Sequence, residues 1–154
     1  MTAAVADAGR VRWTDNHCHL HFRDADAAAV THAVATARDA GVERFVTVGC
    51  DVADSQAAIE VARAHDGVFA TAGVHPHEAE HGIDGLEPLL SDPAVVAVVE
   101  CGLDFHYDHS PRAAQREVFA AQIALAEAHG LALVIHSRSA WADTFDVLAA
   151  EGVP

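Results

Sequence analysis

The chain has 154 residues, 51% of them apolar, which is enough for one packed domain covering residues 1–154. Nine basic against 23 acidic residues give a net charge of −14 at pH 7. This charge excludes a broad basic surface as the means of binding a nucleic acid. It does not exclude a substrate whose phosphates are held by metal ions, because bound cations supply positive charge locally.

The cysteines and the first residues predict a cytoplasmic protein. Cys18, Cys50 and Cys101 are odd in number and share no metal-type spacing, so we expect no disulfide framework and a reducing compartment. Residues 1–10 have no basic region and no sustained apolar run, so we expect a disordered start and no signal peptide. No apolar run approaches the roughly 20 residues that cross a bilayer, so no membrane partner is expected.

Strand and helix patterns alternate along the chain. The predicted strands are 11–16, 44–48, 68–74, 94–99 and 131–135. The predicted helices are 25–40, 53–65, 85–90, 111–129 with Ser110 as the N-cap, and a last helix that Ser139 caps and Gly152 ends. Residues 75–84 are polar and are predicted to form a loop.

This alternation predicts an α/β fold with a parallel sheet and right-handed crossovers. A doubly wound sheet and a (β/α) barrel both fit the order of elements. No glycine-rich phosphate loop follows the first strand, which weakens the nucleotide-binding doubly wound alternative.

Chemically active side chains collect where the predicted strands end. His17 and His19 are two residues apart in extended chain and project to the same side, where they can share a metal ion. Glu100 follows the apolar strand 94–99, His136 follows 131–135, and His75 follows 68–74. In a barrel the carboxyl ends of the strands converge on one face, so the pattern predicts a metal site there.

Four phrases carry a family resemblance: Asp15-Asn-His-Cys-His-Leu20, Gly73-Val-His-Pro-His77, Glu100-Cys-Gly-Leu-Asp104 and Ile135-His-Ser-Arg138. In this order they resemble the TatD family of metal-dependent deoxyribonucleases. The resemblance implies a (β/α)8 TIM barrel, of which this chain holds about five units of eight, and a hydrolase that cleaves phosphodiester bonds of DNA.

The resemblance also implies roles for individual residues. His17 and His19 would hold one divalent metal ion and His136 a second, with Glu100 bridging the two as the catalytic carboxylate. The ions would be zinc, manganese or magnesium. His75 and Arg138 would contact the substrate. From their loop positions, the histidines His77, His81, His106 and His109 are expected to be incidental, although His77 and His106 could contact the substrate.

The chain departs from the family pattern at two places. His21 occupies the position where the family usually has an aspartate. The family's next metal-binding histidine and its last aspartate would lie beyond Pro154. We therefore expect weak metal binding and absent or very low nuclease activity from these 154 residues alone.

Two alternative functions remain open at this stage: an amidohydrolase that acts on C–N bonds, and a catalytically dead fragment or a module that needs a complementing chain. A glutamate bridge in place of a carbamylated lysine disfavours the amidohydrolase. Five strands also leave two open sheet edges and an uncovered inner face, to which Val46, Val96, Val98 and Val134 would contribute if they point inward. Self-association through these open edges is therefore expected.

Overall fold

The chain folds as five strand–helix units, and the computed structural model describes residues 11–22 and 25–153. The predicted disorder of residues 1–10 lies outside the described residues. The strands are β1 (Trp13–Cys18), β2 (Val42–Val48), β3 (Val68–Ala72), β4 (Val95–Asp104) and β5 (Ala132–Arg138). The helices are α1 (Ala27–Asp39), α2 (Val52–Ala64), α3 (Leu86–Leu89), α4 (Arg112–His129) and α5 (Trp141–Ala150), with a 3-10 helix at Pro76–His81.

All five strands are parallel neighbours in the order β1-β2-β3-β4-β5. A doubly wound sheet reverses its strand order at a switch point, whereas a barrel adds each strand beside the previous one. The doubly wound alternative is therefore wrong. The sheet is a half-barrel with its helices alternating along the chain, as the predicted fold class requires.

The helices pack on the sheet through the apolar faces that their spacing predicts. Val30 and Val34 of α1 are buried, and Ala37 packs against them, as predicted. In α4, Phe119 and Ile123 are buried against β4 and α5 residues. Within residues 11–22 and 25–153, no helix combines the length and the apolar character needed to cross a membrane.

Two predicted helix caps are wrong. Ser110 is buried, and its hydroxyl donates to the carbonyl of His77 and accepts from the N–H of Glu80 instead of capping α4. Ser139 has a positive φ of 55°, and α5 begins after Ala140 without a side-chain cap. Both serines follow the expected sequence rule for a cap, but tertiary contacts and backbone geometry overrule it.

The segment predicted as a loop after β3 contains the 3-10 helix. Pro76 stands in its first turn, where its missing N–H costs no hydrogen bond. The Nδ1 atom of His75 accepts the backbone N–H of His77 at 3.1 Å and caps the first turn. Few apolar residues mark this helix, which is why its pattern reads as a loop.

Apolar side chains are exposed on the edge strand β5 and on α5. Val134 is 45% exposed and Trp141 64% exposed, and Phe145 stacks on Trp141 in solvent. Val96 is 38% exposed. Val98 is fully buried in the main core, so it does not contribute to an exposed surface.

We predict that the isolated chain self-associates through the open β5 edge. The substitution Val134→Lys should lower the apparent mass toward the 16.2 kDa of one chain, because a charge on an edge strand opposes pairing with another chain. Size-exclusion chromatography with light scattering measures the mass. Ala28→Lys, an exposed change on α1, is the control and should leave the mass unchanged. A monomeric wild-type chain would contradict the prediction.

Candidate metal centre

Five of the six predicted site residues come from four strands and the segments that follow them. His17 lies in β1 and His19 directly after it, while His75 follows β3. Glu100 and His136 were predicted to follow their strands, but they lie inside β4 and β5. The β4–β5 ladder continues through Gly102↔His136 to Asp104↔Arg138, so both strands run past the polar residues.

The Glu100 carboxylate faces a histidine on each side. Its Oε1 atom lies 3.3 Å from Nδ1 of His136, and its Oε2 atom lies 3.8 Å from Nε2 of His17. The hydrogen bond with His136 lowers the pKa of Glu100 although burial opposes the change. The same bond raises the pKa of His136, again against burial. The carboxylate therefore offers one oxygen to β1 and the other to β5.

The imidazoles of His17 and His19 lie side by side, and one ring nitrogen of His19 is available to bind a metal ion. The rings of His17 and His19 are 5.4 Å apart and meet edge to face. Nδ1 of His19 lies 3.0 Å from the carbonyl oxygen of Val48, and a carbonyl only accepts, so this nitrogen carries the proton. The lone pair of His19 is therefore on Nε2. Cys18, between them, turns its thiol to the Val46 carbonyl, away from the site as predicted.

His75 lies against the same carboxylate but has a different protonation pattern. Nitrogen or oxygen atoms of His75, Glu100 and His136 lie within 4.8 Å of one another. Burial lowers the pKa of His75 to about 4, and the neighbouring His136 and His77 add to the effect. The ring is thus neutral at pH 7. Because its Nδ1 accepts the N–H of His77, its proton is on Nε2.

Gly102 allows β4 and β5 to approach closely beside the site. A Cβ atom on Gly102 would lie 2.0 Å from the carbonyl oxygen of His136, and the φ of Gly102 is +134°. No other residue fits this backbone position without displacing β5. The glycine therefore holds His136 within reach of Glu100.

His21, which departs from the family pattern, makes its hydrogen bonds to side chains outside the candidate metal centre. Its Nε2 atom pairs with Oδ1 of Asp54 at 2.9 Å, and its Nδ1 atom lies 3.1 Å from the hydroxyl of Thr47. The side chain is nearly buried. His21 thus fixes the segment after β1 to β2 and α2.

A model of the TatD related DNase family matches residues 14–154. The chain belongs to this family. It is 46% identical over 118 residues to the 3'-5' ssDNA/RNA exonuclease TatD of Edwardsiella piscicida, a match that covers 73% of this chain and 45% of that protein. It is 37% identical over 142 residues to the uncharacterized metal-dependent hydrolase YabD of Bacillus subtilis, covering 90% of this chain and 55% of that protein. The chain therefore spans about half the length of these relatives.

Solved structures show the same fold. A TatD homologue from Escherichia coli superposes with a TM-score of 0.77 at 24% identity, covering 93% of this chain and 57% of that one. A TatD family hydrolase from Entamoeba histolytica gives a TM-score of 0.79 at 20% identity, covering 92% and 55%. The predicted family and the barrel-type fold class are both confirmed.

A cleft of about 420 Å³ opens beside the TatD-family site. Its lining consists of Cys50, His75, His77, Glu78, Glu100, His136 and Arg138. Arg138, the sixth predicted site residue, ends β5 and is half exposed, with Nη1 4.0 Å from Oδ2 of Asp104. The cleft thus joins the predicted substrate residues to the carboxylate.

Asp104 is the residue of this site whose role the sequence analysis missed. It is fully buried at the end of β4. Its Oδ2 atom lies 2.9 Å from Nε2 of His77 and 3.1 Å from Nε2 of His136. Burial acts to raise its pKa, but these two bonds and the backbone N–H groups of Tyr107 and His106 outweigh burial and lower the pKa. Asp104 therefore stays ionised, and its bonds hold the imidazoles of His77 and His136 next to each other.

We predict that Asp104→Asn destabilises the fold by about 1–3 kcal/mol, because an amide cannot accept from both imidazoles and leaves a buried donor unpaired. Urea unfolding followed by circular dichroism measures the change. The control is Asp108→Asn, an exposed residue that pairs with Arg112 and should change stability by less than about 0.5 kcal/mol. Equal stability of Asp104→Asn and wild type would contradict the prediction.

Proposed function

We propose that this chain forms the metal-binding half of a TatD-type hydrolase that cleaves phosphodiester bonds of single-stranded nucleic acid. The observation that carries the proposal is the Glu100 carboxylate, which directs one oxygen to His136 and the other to His17. The relatives support it, since one is named a 3'-5' ssDNA/RNA exonuclease and another a metal-dependent hydrolase.

The donor set fits two divalent cations. His17 and His19 would hold one ion and His136 the other, with Glu100 contributing one oxygen to each. Imidazole nitrogens suit zinc and manganese better than magnesium, which prefers oxygen ligands, so we propose zinc or manganese ahead of magnesium. Paired cations of this kind lower the pKa of a bound water and stabilise charge on the attacked phosphorus.

Asp104 prepares His136 to hold a metal ion. Its Oδ2 atom accepts from Nε2 of His136, so Nδ1, whose hydrogen bond goes to Glu100, is the nitrogen that would give up its proton and bind an ion. A carboxylate behind a metal-binding histidine fixes the orientation of the ring and raises its basicity. His19 is fixed in the same way by the Val48 carbonyl.

His75 serves the substrate in this proposal and does not hold metal. Its Nε2 atom carries the proton, because Nδ1 already accepts the N–H of His77. A protonated nitrogen cannot bind a cation, but it can donate to a phosphate oxygen. Arg138 lines the same cleft and adds the fixed positive charge that a phosphate needs.

The alternative of an amidohydrolase with a carbamylated lysine has no support from these residues. The 154 residues contain no lysine, and the side chain of Glu100 lies between His17 and His136. The residue of this chain that could bridge two metal ions is therefore Glu100, and a carbamylated lysine cannot form.

A reducing compartment, as in the cytoplasm, is also proposed. All three cysteines are free, which supports this proposal. Burial raises the pKa of Cys18 to about 11 and that of Cys50 and Cys101 to about 12, so the thiols stay protonated. Protonated thiols at these positions serve packing better than metal binding.

We predict that Glu100→Gln weakens zinc and manganese binding by more than the roughly 10- to 100-fold that loss of an outer-shell partner costs. The amide keeps the shape of the side chain but loses the charge and one acceptor oxygen. Isothermal titration calorimetry measures the affinity. His129→Ala is the control, because His129 ends α4 just before β5 begins, whereas His136 lies toward the other end of β5. Equal metal affinities in wild type and Glu100→Gln would contradict the assignment of Glu100 as a metal ligand.

We predict that His75→Ala weakens binding of a single-stranded DNA oligonucleotide in the presence of manganese by about 10- to 150-fold, the equivalent of one hydrogen bond to a charged group. Phosphorothioate linkages protect the probe, and fluorescence anisotropy measures its affinity. Metal affinity should not change, since His75 holds no metal in the proposal. His32→Ala on α1 is the control.

Two results would contradict the proposed function. One is oligonucleotide binding that is equal with and without manganese. The other is cleavage of an unprotected oligonucleotide by Glu100→Gln as fast as by wild type. Even slow cleavage by this chain should depend on the carboxylate.

A further inference from the structure

Two exposed aromatic rings stand in parallel on the segment that follows β4. The rings of Tyr107 and His109 are 5.6 Å apart with an interplanar angle of 8°. Tyr107 is 53% exposed, and His109 is exposed as well. Neither ring takes part in the metal centre. Tyr107 and His109 together are called the ring platform below.

The segment that carries the ring platform is held in place from both ends. At its start, Oδ1 of Asp104 accepts the backbone N–H groups of His106 and Tyr107, each at 3.0 Å. At its end, Arg112 makes two hydrogen bonds to Asp108, at 2.9 and 2.7 Å. These contacts fix the backbone, so the rings stay exposed and do not fold back onto the core.

The ring platform borders the catalytic cleft. The ring of His77 lies 4.5 Å from that of His109 and 5.7 Å from that of Tyr107, and it lies 4.3 Å from the ring of His75. The guanidinium of Arg138 lies over Tyr107, 5.2 Å from the ring centre. The imidazole of His77 thus lies between the platform and His75, and the Arg138 guanidinium contacts the platform directly.

We propose that the ring platform is a binding subsite for a nucleobase of a single-stranded nucleic acid, next to the phosphate that His75 and Arg138 contact. This inference rests on the proposed function and names the part of the substrate that the platform takes. Aromatic rings stack on any base, so the subsite is expected to accept all four bases. Bases inside a double strand are stacked on both faces by their neighbours and present no free face to the rings.

The charge of the chain makes such a subsite necessary. A net charge of −14 repels a polyanion, and affinity cannot come from many lysine and arginine contacts along the backbone. Stacking needs no positive charge. Each stacked base typically contributes a factor of about 5 to 150 in affinity, which is enough to hold the strand beside the cleft.

The test is the affinity of the Tyr107→Ala variant for two probes in the presence of manganese, measured by fluorescence anisotropy. One probe is a phosphorothioate-protected single-stranded DNA tetranucleotide, and the other has the same backbone without bases. We expect Tyr107→Ala to bind the tetranucleotide about 5- to 150-fold more weakly and the base-free probe as tightly as wild type does. Tyr107→Phe, which keeps the ring, should restore binding of the tetranucleotide.

Phe145→Ala is the matched control, because Phe145 is another exposed aromatic residue, 62% exposed on α5. It should bind both probes as wild type does. Equal tetranucleotide affinity in Tyr107→Ala and wild type overturns the ring platform and leaves the proposed function standing. A wild-type chain that binds manganese but neither probe overturns the proposed function, and the platform with it.

Discussion

The buried carboxylate of Asp104 is the contact on which the arrangement of the site depends. An ionised group removed from water costs several kcal/mol unless hydrogen bonds replace its hydration. Asp104 obtains those bonds from the imidazoles of His77 and His136 and from two backbone N–H groups of the segment after β4. One side chain therefore joins β5, the 3-10 helix and the segment with the ring platform. None of these parts can move far without leaving the carboxylate unpaired.

The parallel sheet supplies the other constraint. Strands that run in one direction and pair in sequential order bring their carboxyl ends to the same edge, so residues separated by 83 positions in sequence, such as His17 and Glu100, meet there. The close approach of β4 and β5 at Gly102 then keeps His136 within reach of Glu100. The candidate metal centre thus depends on sheet topology and on the close packing of two strands that one glycine allows.

The sequence predicts the parts of this structure that follow from periodicity. Helical spacing identifies α1 and α4, and the apolar run 94–99 identifies the start of β4. The gathering of His17, Glu100 and His136 follows from parallel strand ends alone. Strand length does not, because polar residues inside β4 and β5 read as loop until the register between them is known. Asp104 was missed for the same reason. Its separation from Glu100 by four residues, an even spacing that puts both on one face of a strand, is the signal that could have revealed it.

The acidic charge and the nucleic-acid substrate proposed for this chain are compatible because attraction and recognition act over different distances. Long-range attraction depends on net charge and falls with salt, whereas metal coordination, hydrogen bonding and stacking act only at contact. The groups that would meet the substrate here are of the second kind: the carboxylate with its histidines, the Nε2–H of His75, the Arg138 guanidinium and the two parallel rings. A strand that reached the cleft would be held by direct contacts at the phosphate and at the base. The rest of the acidic surface would then disfavour binding elsewhere on the chain, so the proposed substrate would be confined to this edge of the sheet.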